Sequence, residues 1–439
     1  MQFSEAMAAM LRFDRAALDV ALKRVEETAE GEAGLEQRLD RAWRAIADGE
    51  AAEDLGAVER DAARLGLASL VVRAAAARAL AAATSGALDE ALEVARRASR
   101  MGRTEALPEA EYLAALVLAR VRRLMGRPYL ANRILTALAG YAPPPWHGWI
   151  GWELLLASGR ALEATSGIAA TLLEALAHLD RGHAASWRAA IEGLMGATSG
   201  IAFVQQDVAR LRAALDPSAD CDDPALTRWR AGEEPHDPPH GLLGLHVHGG
   251  PTVALVLAGP GLVSRRLLDR GAPLVRDATA MTATARRQAR IDGLLAALAA
   301  VAPAAIDEAD LFRTVYGFKY ARNVHKEVLH VALHRARERL GTQGEIHRDG
   351  SRLHLTLVGP TLFPDPRCVP AVDDRVLQLV AKRGSVTAKD AAGALGIPLR
   401  SAQSALKELV EGGACKLRRD GRKVAYEVED TTFREPTFA

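Results

Sequence analysis

The first 215 residues carry apolar side chains at intervals of three and four, which is the period of an amphipathic helix. Glycine and proline divide this stretch into successive candidate helices, with stops such as Gly86, Gly126 and the Pro143–Pro145 run. After residue 240 apolar and polar residues alternate, as at 243–248, and a period of two is typical of strands. The pattern predicts a mainly α fold class, with helical hairpins followed by smaller α+β domains.

Four glycines give the helical stretch a loose repeat. They are separated by 37, 40 and 33 residues, and three of them are followed five residues later by alanine: Gly49, Gly86, Gly126 and Gly159, with Ala91, Ala131 and Ala164. This arrangement resembles the second half of a tetratricopeptide repeat (TPR) over roughly residues 35–180. An all-helical bundle of alanine-rich hairpins is the alternative. Under either reading we expect residues 1–215 to bind a ligand, to bind a protein such as RNA polymerase or another regulator, or to form a homodimer.

Composition changes along the chain mark the predicted domain boundaries. Aspartate, glutamate and proline crowd into residues 216–240, which is typical of an exposed linker. The predicted organisation is a helical domain at 1–215, a linker at 216–240, a domain with a small N-terminal antiparallel sheet at 241–360, a linker at 361–372, a second small domain at 373–430 and a tail at 431–439.

Residues 283–358 predict three helices and a hairpin. Asp307 is placed to cap the second helix and Gly317 to stop it, and the third helix covers about 323–340 before Gly341. Asp349–Gly350 then predicts a tight hairpin turn.

The segment from Asp307 to Gly341 resembles the winged helix-turn-helix domain of OmpR-type bacterial response regulators. The resemblance rests on the Tyr316–Gly317 pair and on Arg335 and Arg337 at the end of a recognition helix. It covers about 241–358 and implies a DNA-binding fold. No receiver domain with an acidic pocket precedes it, so control by a phosphorylated aspartate is not implied.

The C-terminal residues predict a second unit of the same kind. Thr387 caps a short helix, Gly396 makes a turn, Leu399–Glu411 forms a third helix, and Asp420–Gly421 turns a hairpin. Residues 373–428 resemble the winged helix of MarR- and ArsR-type regulators. The resemblance implies that the helix at 399–411 reads DNA and that the hairpin is a wing.

Charge supports a polyanionic partner for the second half of the chain. Residues 1–240 have a net charge of −7, whereas residues 241–439 have a net charge of +8. Helical polar side chains can reach base edges in the major groove, and cations on the wings can neutralise phosphates. The predicted contacts with double-stranded DNA are Lys326, His330, His334, Arg335, Arg337, Arg348, Arg352, Arg400, Ser401, Gln403, Ser404, Lys407, Arg418, Arg419, Arg422 and Lys423.

The sequence also excludes several classes of function. It has no phosphate-binding loop, metalloprotease helix, nucleophile elbow or dinucleotide fingerprint, so we expect no enzyme and no cofactor. His330 and His334 have helical ligand spacing but no third ligand, so no metal is predicted. The three separated cysteines, the lack of a secretory leader and the lack of an apolar span predict a cytoplasmic protein without a membrane contact.

Two rival functions stay open at this point. The chain is predicted to be a bacterial DNA-binding transcriptional regulator, but winged helices also bind proteins, and an interaction scaffold is the main alternative. An enzyme within the helical half is the third reading.

Overall fold

Helices dominate the part of the chain that a computed structural model describes. The described residues are 4–23, 30–52, 55–162, 167–198, 200–233, 240–242, 254–269, 274, 279–280, 289–368, 372–420 and 423–428. They form long helices and small sheets, so the predicted mainly helical fold class is confirmed. None of the helices in these residues is long and apolar enough to cross a bilayer.

The chain forms two compact units, and neither is continuous in sequence. The first comprises residues 1–174, 190–208 and 371–439, and the second comprises 175–189 and 209–370. The composition changes predict consecutive domains, whereas the structure groups the C-terminal residues with the N-terminal helices. Contacts between residues hundreds of positions apart leave no local sequence signal, so this grouping could not be predicted.

Twelve helices are described between residues 4 and 215. They are α1 (Glu5–Leu11), α2 (Arg15–Lys23), α3 (Gly31–Asp48), α4 (Leu55–Arg64), α5 (Ala68–Thr84), α6 (Leu88–Thr104), α7 (Pro108–Leu124), α8 (Pro128–Tyr141), α9 (His147–Ser158), α10 (Gly167–Asp180), α11 (Ala184–Ala197) and α12 (Ala202–Leu215). Sequence periodicity missed α9, because this helix is buried on nearly all sides and has no polar face. It places Trp149 and Trp152 in the core of the first unit.

The four repeat glycines all follow the ends of helices. Gly49, Gly86, Gly126 and Gly159 have φ values of 75°, 87°, 76° and 67°, a left-handed conformation that residues with a β-carbon rarely adopt. They follow α3, α5, α7 and α9 and so separate the two helices of successive pairs. Ala91 and Ala131 are fully buried, as the small-residue pattern predicts, while Ala164 lies outside the described residues.

Four buried charged side chains hold α7, α9 and α12 together. The Nη1 atom of Arg120 lies 2.7 Å from Glu153 Oε1 and 2.6 Å from Asp207 Oδ2. Arg123 lies 2.8 Å from Glu153 Oε2 and 3.1 Å from Asp207 Oδ2. Each side chain is at most 1% exposed, and the indole of Trp152 donates a further hydrogen bond to Asp207. Two guanidinium groups therefore neutralise two carboxylates away from water.

From residue 224 onward, the described residues of the second unit form one short helix, two small sheets and three further helices. Its elements are α13 (Pro224–Arg230), β1 (Ala254–Ala258), β2 (Arg265–Leu268), β3 (Thr279–Ala280), α14 (Ala289–Val301), β4 (Ile306–Asp307), α15 (Glu308–Tyr316), α16 (Arg322–Leu340), β5 (Gly344–Asp349), β6 (Arg352–Leu357) and β7 (Thr361–Pro364). One sheet has the strand order β2-β1-β7-β3 and the other has the order β4-β6-β5.

Both predicted linkers contain ordered elements. Within 216–240, α13 buries Leu226 and Trp229. Within 361–372, β7 is fully buried and pairs with β1, because Leu362 and Phe363 supply apolar surface for the sheet. The small antiparallel sheet predicted at the start of this region is found in part: β1 pairs antiparallel with β2 and β7, whereas β3 pairs parallel with β7. The candidate strand at 243–248 lies outside the described residues.

The C-terminal residues of the first unit add three helices and three strands. They are α17 (Val372–Arg383), β8 (Ser385–Val386), α18 (Ala388–Leu395), α19 (Leu399–Glu411), β9 (Cys415–Asp420) and β10 (Lys423–Val428), with the strand order β8-β10-β9.

Two modules in the chain share one element order. Residues 289–357, here the central module, and residues 372–428, here the C-terminal module, each run helix, strand, helix, helix, strand, strand. In both, the short first strand pairs with the last strand of the hairpin. The helices and hairpins match the predictions, whereas β4 and β8, at two residues each, are too short for a periodic signal.

We predict that Glu153→Gln lowers the free energy of unfolding by about 3–5 kcal/mol, because a neutral amide leaves Asp207 as the one carboxylate facing two buried guanidinium groups. Urea denaturation followed by tryptophan fluorescence measures this loss. The matched control is Asp310→Asn, which breaks an exposed ion pair to Arg313 and should cost at most about 1 kcal/mol. Equal losses in the two variants would contradict the role assigned to the cluster.

A second prediction concerns Asp40, whose carboxylate accepts a 2.7 Å hydrogen bond from Ser4. Burial raises the pKa of Asp40 from 3.8 to about 6. The protonated form is therefore favoured in the folded state, and this contribution to stability, complete below about pH 4, is lost as pH rises through about 6. We expect Asp40→Asn to raise the free energy of unfolding by about 1–3 kcal/mol near pH 7.5, and by much less near pH 4. Denaturation curves at both pH values test this, and a gain that does not depend on pH would refute it.

Candidate nucleic-acid interface

Helix α18 of the C-terminal module is capped at both ends, and a short turn joins it to α19. The hydroxyl of Thr387 accepts a hydrogen bond from the Asp390 backbone N–H, and the Asp390 carboxylate accepts one from the Thr387 backbone N–H. The Thr387 hydroxyl also donates a 2.6 Å hydrogen bond to the Asp390 carboxylate, and this bond, together with the one from the Thr387 backbone N–H, lowers the pKa of Asp390. Gly396 ends α18 with a φ of 63°, and Pro398 precedes the first residue of α19. The predicted cap at Thr387, the predicted turn at Gly396 and the predicted start of the next helix at Leu399 are confirmed.

The inner face of α19 is apolar and its outer face is polar. Ala402, Leu406 and Leu409 are buried in the module core. The predicted base-contacting side chains lie mainly on the other side: Arg400, Gln403, Ser404 and Lys407 are exposed, and Ser401 is half-buried. Spacings of three and four residues put the exposed set on one helix face. This face offers guanidinium, amide, hydroxyl and ammonium donors to a partner.

Part of this polar face is already engaged by carboxylates of the same helix. Ser404 donates a 3.2 Å hydrogen bond to Glu408, and the Lys407 ammonium lies 3.6 Å from Glu411. The side chains of Arg400 and Gln403, by contrast, have no hydrogen-bond or ion-pair partner within the described residues. The polar side chains Arg400 and Gln403, in the first two turns of α19, are thus the ones least engaged by neighbouring carboxylates.

The hairpin after α19 adds exposed cations. Arg418 and Arg419 lie on β9 and are exposed, and Arg418 pairs with Glu427 of β10 at 2.9 Å. Of the other two predicted wing cations, Arg422 lies outside the described residues and Lys423 is the first residue of β10.

Residues of α6 and α8 hold the C-terminal module, and sequence reasoning missed them. The Tyr129 hydroxyl donates a 2.9 Å hydrogen bond to Asp374, and Leu130 is buried in the core of the module. Arg133 donates to the Ala381 carbonyl, and Arg96 donates to the Gly413 carbonyl at 2.7 Å. Burial, reinforced by the charge of Asp374, raises the pKa of Tyr129.

None of these four contacts involves the outer face of α19. The N-terminal helices therefore support the module at α17 and at the turn after α19, and they leave the polar face of α19 exposed.

The outer face of α16 in the central module differs in character. Lys326, His330, His334 and Arg335 are exposed as predicted, but Glu327 and Glu338 are exposed on the same helix. The His334 ring lies 3.4 Å from the Glu338 carboxylate. Carboxylates repel phosphates, but α19 also exposes two, Glu408 and Glu411, so acidic residues alone do not distinguish the two helices.

Three predicted phosphate contacts of the central module instead bind the module itself. Arg337 donates two hydrogen bonds, at 3.2 and 3.1 Å, to the Ile346 carbonyl. Arg348 pairs with Glu308, and Arg352 donates a 3.3 Å hydrogen bond to the Ala305 carbonyl. These guanidinium groups join the hairpin to the helices.

Three valines on α16 also point outward. Val324, Val328 and Val331 are 64%, 47% and 50% exposed. Residues on the buried side, such as Leu329 and Leu333, form the module core, so the valines are not part of it. The central module thus presents an apolar stripe where the C-terminal module presents donors.

The histidines and cysteines form no evident metal centre in the described residues. No cluster of three or more histidine, cysteine or acidic side chains is positioned to hold an ion there. His347 and His354 face each other across β5 and β6 with ring centroids 4.8 Å apart. All three cysteines are free thiols, and burial raises the pKa of Cys415 to about 11.

Comparison with known proteins finds no matching family, no matching curated protein and no matching solved structure.

We predict that Arg337→Met lowers the free energy of unfolding by about 1–2 kcal/mol, because it removes two hydrogen bonds to a hairpin carbonyl. Arg335→Met, two residues earlier and exposed, is the matched control and should change stability by less than about 0.5 kcal/mol. Thermal or urea denaturation distinguishes them. If both variants are equally stable, Arg337 is not a structural residue.

Proposed function

We propose that this chain is a DNA-binding transcriptional regulator of the cytoplasm whose C-terminal module binds duplex DNA. In this proposal α19 enters the major groove, Arg400, Gln403 and Ser404 contact base edges, and the cations of β9 contact phosphates. The activity is binding, without catalysis or a cofactor.

The observation that carries the proposal is the outer face of α19. It is polar, donor-rich and exposed, it begins just after a capped helix and tight turn, and it is followed by a hairpin with exposed Arg418 and Arg419. A helix presented in this way fits the width of the major groove, and the hairpin reaches the backbone beside it. The resemblance of residues 373–428 to MarR- and ArsR-type winged helices supports the same reading.

The N-terminal helices suit the binding of a regulatory partner. The glycine positions and helix pairs are consistent with a TPR-like array, and such arrays bind proteins or ligands on helix faces. Because α8 contacts α17 of the C-terminal module, a ligand, RNA polymerase or another regulator bound to these helices would act within the same compact unit.

A protein-interaction scaffold is the second candidate, and one observation favours it for the central module. The exposed valines Val324, Val328 and Val331 of α16 suit a protein surface better than a phosphate backbone. The resemblance of this module to OmpR-type domains supports a winged-helix fold for it. A winged helix can bind protein as well as DNA, so the central module and the C-terminal module need not bind the same partner.

Salt dependence tests phosphate contact. We predict that the affinity for random-sequence duplex, measured by fluorescence anisotropy, falls steeply with salt, with a log–log slope of about −3 to −4 if four cations contact phosphates. Charge reversal of Arg418 and Arg419 should reduce the size of that slope by about 2. Gln403→Ala should leave the slope unchanged and relax preference at one base pair of a selected site by about 10- to 100-fold.

The control is Arg64→Glu, which reverses an exposed cation on α4. It should leave both the slope and the sequence preference unaltered. An affinity for DNA that is absent, or that does not respond to Arg418, Arg419 and Gln403, would favour the scaffold.

A further inference from the structure

The exposed valines of α16 are spaced as the seam of a coiled coil. Val324, Val328, Val331, Arg335 and Glu338 are separated by four, three, four and three residues, which is the a/d pattern of a heptad. Residues at this spacing form a stripe along one side of a helix. The stripe, here the α16 seam, lies opposite the core residues Leu329, Leu333 and Ala336.

This seam is apolar at its N-terminal end and charged at its C-terminal end. A parallel partner would place the two Arg335 side chains together, which repels. In an antiparallel pair, the apolar N-terminal end of the seam on one copy lies beside the charged C-terminal end of the seam on the other. With Val328 against Val331 of a second copy, symmetry repeats the contact, and Val324 lies against the aliphatic stem of Arg335.

Charges flanking the seam are complementary in the same register. Glu327 of one copy then lies two to three residues, or about 3–4.5 Å along the axis, from the level of His334 and Arg335 of the second copy. Long side chains span that offset. The two-fold axis repeats this pairing, so the Glu327 carboxylate of each copy lies near His334 and Arg335 of the other copy and not near the other Glu327. A surface that complements itself in this way is the requirement for a closed dimer.

We infer that the α16 seam is a homodimer interface, formed by two antiparallel copies of α16. One helix pair buries less than the roughly 1,200 Å² typical of stable complexes, so the dimer forms in a concentration-dependent way. The central module then serves assembly, while DNA binding belongs to the C-terminal module. This inference does not require α19 to bind DNA.

Sedimentation velocity on the full chain without DNA tests the interface. We expect a monomer–dimer equilibrium, and Val328→Glu or Val331→Glu should raise the dimer dissociation constant by at least about tenfold, since each places a carboxylate against valine. Val358→Glu is the matched control. It changes a valine that is 78% exposed and outside the seam, and it should leave the equilibrium unchanged.

Charge exchange tests the register separately from folding. Glu327→Arg and Arg335→Glu should each weaken the dimer, and the double variant should restore it, because the exchanged charges are again complementary across the axis. Circular dichroism confirms that each variant is folded. A wild-type chain that is monomeric throughout, a dimer that tolerates both valine variants, or a double variant weaker than either single one would overturn the inference. If the valine variants abolish DNA binding without changing mass, α16 is a DNA-reading helix and the interface is refuted.

Discussion

The buried pairing of Arg120 and Arg123 with Glu153 and Asp207 supports much of the first unit. Charges taken out of water are tolerated only when each meets its opposite at hydrogen-bond distance, so α7, α9 and α12 have little freedom to shift. α8 packs against α7 and α9, and Tyr129 and Leu130 of α8 contact the C-terminal module. The position of the module therefore depends, through α8, on an interaction outside the proposed DNA-binding face.

The central and C-terminal modules show how one element order serves different surfaces. Inside, both use alanine and leucine on the third helix: Ala332 and Leu333 in one, and Ala402 and Leu406 in the other. On the outer face of the third helix, packing in the core places no constraint on which side chains are present. The C-terminal module places Arg400 and Gln403 there, and the central module places Val328 and Val331. Shared architecture thus predicts where a functional face lies but not what it binds.

What the sequence predicted well was local. Thr387, Gly396, Asp307 and Gly317 cap or end the helices as expected, because a cap depends on residues within one turn. The α19 bounds were also predicted. What the sequence could not show was non-local: the engagement of Arg337 by Ile346 depends on how a hairpin folds back on α16. Nor does spacing reveal that Tyr129 meets Asp374, 245 residues later.

The small number of uncompensated cations on α19 and β9 gives the proposed dimer a role in DNA affinity. Lys407 and Arg418 pair with Glu411 and Glu427, so if the C-terminal module binds DNA as proposed, phosphates would compete with these carboxylates and a single copy would bind weakly at physiological salt. A dimer presents two copies of α19, and the second binds at the high effective concentration set by the first. A two-fold axis further requires the two contacted DNA segments to be inverted copies of each other. Selectivity would then come from the pairing of two weak contacts, which a single exposed helix of this composition cannot supply.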